Sequence, residues 1–155
     1  MNNRLVKYVT PLLLTLFAAC SDDDVNCDEV QPEPFRFRVV DQAGNNKLAS
    51  GERPSNIRIY FLQYGAEVSL ELGFEGSDQE TYGSSPVLPY SSIFENTETY
   101  FLERDSRVDT LLVRASQRSP GDRCAGFSYD EVSFNGAAAT LDDTVEPPVY
   151  LLVEG

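Results

Sequence analysis

Apolar side chains recur at every second position along much of this chain, and helical spacing is hard to find. Phe35, Phe37 and Val39 are separated by Arg36 and Arg38, Ile57, Ile59 and Phe61 by Arg58 and Tyr60, and Val68, Leu70 and Leu72 by Ser69 and Glu71. A period of two places one set of side chains on a buried face and the other on a wet one, so each run predicts a half-buried strand. The Tyr64-Gly65 break between segments 56–64 and 66–72 predicts a hairpin, with Arg58 facing a glutamate across the strands. β-Branched and aromatic residues predict further strands over 99–103, 108–114, 127–134 and 149–153. Within 127–134 the phase slips: Phe127 and Tyr129 share one parity, Val132 and Phe134 the other, which predicts a bulge near Asp130-Glu131. Pro147-Pro148, unable to donate to a ladder, suits an edge or the start of a strand. Segment 41–46 and the pair Asn135-Gly136 read as turns, and the Gly/Ser/Pro-rich stretch 75–92 reads as the longest loop. At least seven short strands predict an all-β fold, a two-sheet antiparallel β-sandwich of immunoglobulin-like or related type.

The first twenty residues follow another logic. Arg4 and Lys7 precede an apolar run from Val9 to Ala19 interrupted by Pro11. At ~1.5 Å rise per residue such a run falls well short of a ~30 Å hydrocarbon core, so it reads as a cleaved signal and not as a membrane span. The segment Leu16-Phe17-Ala18-Ala19-Cys20 resembles the lipobox that signal peptidase II recognises, which implies lipidation of Cys20. Phe17 stands where an aliphatic is usual, and ordinary secretory cleavage after Ala19 is the alternative. Ser21, Asp22, Asp23 and Asp24 directly behind the cysteine resemble the surface-export signal of Bacteroidota lipoproteins; a solvated acidic tether is the plainer reading. The resulting division is 1–19 signal peptide, 20–26 lipidated cysteine and acidic tether, and 27–155 sandwich domain.

Removal of the signal takes away two basic residues and no acid, so the net charge moves from −13 to −15 over 136 residues. That balance repels phosphates and excludes nucleic acid and charge-driven binding to anionic headgroups. With Cys20 acylated, Cys27 and Cys124 remain as an even pair in an oxidising compartment and are expected to bond, closing a loop near the ~100-residue case for which chain entropy gives ~4.7 kcal/mol as an upper figure. Two free thiols or a redox site are the alternative, although no C-x-x-C spacing is present.

The chain contains no histidine, which removes the usual general base and the common zinc ligands. Two carboxylates alone can run glycoside hydrolysis, but with so many acids some pair always looks suitable. The chain is therefore expected not to be an enzyme, and to need no cofactor or metal. Asp41, Asn45, Asn46, Asp142 and Asp143 suit calcium by type but serve more simply as turn residues. Tyr82 and Tyr90 fall in the long polar stretch, where exposed rings stack on sugars or anchor a partner; folding back as a cover is the plainer reading. Arg104, Arg107, Arg114, Arg118 and Arg123 suit either an acidic partner or a solvated face. Asp143-Thr144-Val145 resembles the Bacteroidota O-glycosylation sequon, with Thr144 as acceptor.

The acidic tether, Cys27, the strand and turn from Phe35 to Gly44, the segment 108–111, and Cys124-Ala125-Gly126-Phe127 leading to Phe134-Asn135-Gly136 together resemble small Bacteroidota lipoproteins. Those families carry no established activity, so the resemblance implies a compartment and a β-rich fold, and no functional residue is carried over. The expectation is a lipid-anchored outer-membrane protein, facing outward, that binds or supports an envelope protein or glycan without enzymatic action. A carbohydrate-binding accessory lipoprotein of a glycan-uptake system is the alternative.

Overall fold

The computed structural model describes residues 32–49, 53–54, 56–117 and 126–155. Cys20, Ser21, Asp22, Asp23, Asp24, Cys27 and Cys124 lie outside them. The strands in chain order are β1 (Phe35–Val40), β2 (Ile57–Gln63), β3 (Ala66–Leu70), β4 (Gly73–Glu75), β5 (Tyr82–Ser85), β6 (Thr99–Arg104), β7 (Arg107–Gln117), β8 (Phe127–Phe134), β9 (Ala137–Ala138), β10 (Thr140–Asp142) and β11 (Val149–Val153), with one helix, α1 (Leu88–Phe94), between β5 and β6. They form two sheets, ordered β10-β11-β1-β5-β4 and β3-β2-β6-β7-β8-β9. The fold is an all-β two-sheet sandwich, antiparallel except where β1 runs parallel to β11.

The inner faces carry the residues that the alternation marks. Phe35, Phe37 and Val39 of β1, Ile59 and Phe61 of β2, Leu102 of β6, Leu111 and Val113 of β7 and Leu152 of β11 are fully or almost fully buried in one core. Burying each such side chain contributes about 1.5–3 kcal/mol, which is why the period-two pattern selects the fold. The bulge also lies where the phase slips: Arg114 pairs with Glu131 but Ala115 with Tyr129, leaving Asp130 as the extra residue.

One expectation needs correction. Stretch 75–92 is not a loop: it holds β5, α1 and a single 3-10 turn at Asp78–Glu80. Its small residues are an interior fit, because Gly83 faces inward beneath the Phe37 ring, where an added Cβ would lie 2.7 Å from Cζ. The helix, at seven residues, is too short for periodicity to announce. Pro147-Pro148 stand at the start of a strand, the second of the two positions that suit them: they immediately precede β11, which lies between β10 and β1 and is no edge.

The β2–β3 hairpin turns through Tyr64 at φ 52° and Gly65 at φ 83°, the two left-handed positions of a type I′ turn, where Asn-Gly is preferred. Tyr64 is fully exposed. Replacing Tyr64 with Asn is expected to raise unfolding free energy by about 0.5–1 kcal/mol, measured by urea denaturation, because Asn adopts left-handed backbone more readily.

Candidate functional site

The strand registers assign every hairpin to one of two ends of the sandwich. At one end the chain enters the domain: Phe35 pairs with Ser85 just before α1, and the Tyr129 hydroxyl donates to the Glu33 carbonyl at 2.8 Å. The same end holds α1, the start of β6 and the Tyr64-Gly65 turn, since Tyr60 pairs with Phe101 and β2 continues past the start of β6. Turns 105–106, 135–136 and 41–45 lie at the other end.

That second end is built around charge. Arg104, nearly buried in β6, bonds to Asp109 of β7 and to Glu154 after β11. Asp109 also accepts from Arg107 Nε at 2.8 Å and from Asn135 Nδ2 at 2.8 Å. Burial pushes the Asp109 carboxyl up, but the hydrogen bonds from Arg104, Asn135 and Arg107 outweigh it and hold the group below its ordinary value. Nearby, Asp41 accepts from Ala43 N and Asn45 N, both at 2.9 Å, and pairs with Lys47 at 3.1 Å. Its carboxylate serves its own turn. The arginines do not form a basic face: Arg104 is buried, Arg107 bonds to Asp109, and Arg114 bridges Glu98 and Glu131. Arg118 and Arg123 lie outside the described residues.

Tyr82 and Tyr90 do not share a surface. Tyr82 is buried on the outer side of β5, not in a loop, and its hydroxyl donates to Glu75 Oε2 at 3.0 Å. Desolvation first, then the Glu75 carboxylate, raises the phenol above its ordinary value. Arg38 stands in the opposing register position, its Nη2 donating to the Glu80 carbonyl at 3.2 Å and its Nη1 3.9 Å from Asp142. Tyr90 lies on α1, exposed, its ring tilted against Phe94 at 5.8 Å. Thr144 is exposed in the segment before β11, its hydroxyl donating to Asp142 Oδ1 at 2.5 Å.

Compared with protein-family models, with curated proteins and with solved structures, the chain matches none.

The chemistry of the site therefore rests on its own residues. Four carboxyls with displaced ionisation, Asp41, Glu98, Asp109 and Asp142, are all displaced downward by hydrogen bonds and cations, the opposite of what a proton donor at neutral pH requires. Among the described residues no three acids gather as a metal site. Ser91 and Ser92 face inward and act as fasteners. Ser91 Oγ lies 2.9 Å from the Tyr100 hydroxyl, which donates to the Thr97 carbonyl at 2.7 Å, while Ser92 Oγ donates to the Val113 carbonyl at 3.1 Å and accepts from Ala115 N at 2.9 Å. Burial, with the serines opposing it, pushes the Tyr100 phenol up to about 12, so it stays a neutral donor. These bonds fix α1 to the larger sheet and leave Val87 before it, and Tyr90 and Phe94 on it, exposed to solvent. Sequence periodicity missed this platform because its signal is three apolar residues at spacings of three and four inside a polar stretch.

Proposed function

We propose that the protein is a lipid-anchored lipoprotein of the outer membrane, displayed on the outer face, that acts as a non-enzymatic binding or structural module of the envelope. The reading rests on one observation, the succession from Arg4 through the apolar run to Ala18-Ala19-Cys20 and then Ser21-Asp22-Asp23-Asp24. Two features support its non-enzymatic part: Arg104, Arg107 and Arg114 are paired with acids, and the carboxyls whose ionisation is displaced, Asp109 and Asp142 among them, are displaced downward, away from a proton donor at neutral pH. The pairing of Cys27 with Cys124 belongs to the same proposal. Its support is that Glu33 and Tyr129, a few residues beyond each cysteine, are hydrogen-bonded to each other.

Protease shaving of intact cells tests the reading, with intact-mass measurement of the purified native protein. The expected mass carries acyl chains on Cys20 and lacks two hydrogens, and the expected shaving pattern is loss of the domain from whole cells. Replacing Asp22, Asp23 and Asp24 with Ala is expected to abolish shaving while leaving acylation intact. An unacylated sulfhydryl at Cys20 would overturn the anchor, and continued exposure without the three acids would overturn the sorting argument.

A further inference from the structure

The exposed aromatic residues of the described chain, Tyr64, Tyr90 and Phe94, all lie at one end of the sandwich, with Leu62 and Val87 exposed beside them. It is the end where the chain enters the domain, since Phe35 pairs with Ser85 shortly before α1 and Glu33 is bonded to Tyr129 near the start of β8. Only eleven residues separate Cys20 from Pro32, and the twelve steps between the two even fully extended span about 40 Å. The tether thus leaves the domain at the end that carries these residues, which keeps that end within reach of whatever holds the tether.

We propose that Tyr64, Tyr90 and Phe94, with Leu62 and Val87, form the face on which the domain rests against the lipid leaflet carrying its anchor. The inference depends on the lipid-anchor reading above. Three observations favour lipid over a protein partner. The rings belong to separate elements, a hairpin turn and a seven-residue helix, and project from one end instead of lining a groove. Their chemistry is that of the membrane interface, where tyrosine keeps its hydroxyl wet while its ring lies among acyl chains and phenylalanine goes deeper. Tyr64 occupies a type I′ position that Asn or Gly would fill with less strain, although it is fully exposed; a sequence breaks such a local rule where function requires it. The tether raises the local concentration of lipid at this face, so weak individual insertions suffice. No basic patch is needed, and the strongly acidic chain selects neutral headgroups over anionic ones.

The chain has no tryptophan, so a single Phe94→Trp substitution supplies a site-specific reporter. The acylated full chain is reconstituted into phosphatidylcholine vesicles with and without bromine high on the acyl chains, and acylation is checked by intact mass. Phe94→Trp is expected to lose about half or more of its emission in the brominated vesicles, as insertion of ~5–10 Å requires. Tyr64→Trp, on the separate hairpin, is expected to do the same. Val108→Trp, exposed much as Phe94 is but on the hairpin at the other end, is expected to remain unquenched. Acylated protein whose two end reporters are both unquenched would overturn the docking and leave the anchor standing. Unacylated protein would overturn both, the mass telling the cases apart. Reporters shielded from acrylamide without bromine quenching would mark a protein partner or a second copy on this face and overturn the proposal as well.

Discussion

Replacing Asp109 with Ala is expected to lower unfolding free energy by about 3–5 kcal/mol, the cost of leaving a buried charge without its partner. Arg104 keeps its guanidinium almost wholly out of water, its Nε has no hydrogen-bond partner, and Asp109 is the more buried of its two carboxylates. Without Asp109, Arg104 retains Glu154 alone, while Arg107 Nε and Asn135 Nδ2 lose an acceptor. Urea denaturation measures the effect as a lower midpoint at unchanged slope. Converting Arg104 to Met and Asp109 to Leu together is expected to recover a large part of the loss, because what destabilises is the orphaned charge and not the absence of the pair. Arg114→Ala serves as the comparison: half-exposed between Glu98 and Glu131, it is expected to cost no more than about 1 kcal/mol.

The pH dependence follows from the same carboxyl. Its value in the folded protein lies below the ordinary 3.8, so the unfolded chain takes up the proton first as acid is added. The stabilisation is complete above about 3.8 and is lost as pH falls through the folded-state value. Acid unfolding of the native protein is expected to steepen below pH 3.8, and Asp109→Asn to flatten that limb; an unchanged acid limb would show that the pair contributes nothing to acid stability.

Gly83→Ala is expected to cost about 1–3 kcal/mol by overpacking. The new methyl would press on the Phe37 ring at 2.7 and 2.9 Å, and that ring has no route of escape, being fully buried with Phe35 stacked 5.8 Å away. Phe37→Ala removes the obstacle but leaves a cavity, for an expected loss of about 3–5 kcal/mol. The double variant Gly83→Ala with Phe37→Leu is expected to lose less than its two single changes combined, because the smaller side chain makes room for the methyl. Strict additivity would show that the two residues do not share the space described.

What the sequence made legible was decided by length and by which side of a strand carried the information. β1 and β2 were readable because five or more residues alternate, β8 because of its aromatic and β-branched residues, and the slip at Asp130 because a bulge inverts the alternation on its two sides. β4, β9 and β10 span only two or three residues, too few for any period. β5 was misread because its inward positions are Gly83 and Ser85, small to admit Phe37 from the neighbouring strand, so its local composition imitates a loop. Tyr82 was identified as a residue of interest, but its environment came from the ladder, since nothing near it in the chain places Arg38 alongside. Arg104 followed the same logic: it reads like any surface arginine until Glu154, fifty residues away, is brought against it.

The parallel pairing of β1 with β11 bears on when the protein becomes a protein. The first described strand can be finished only by the last, because β11 pairs with Phe37–Val40 along one flank of β1 and brings Val149 and Leu152 into the interior. Until residues 149–153 emerge, Phe35 and Phe37 stay partly uncovered, and so long-range a closure is slow. A chain delivered amino end first therefore stays incompletely folded, with part of its core open to chaperones and proteases, until its last strand has emerged.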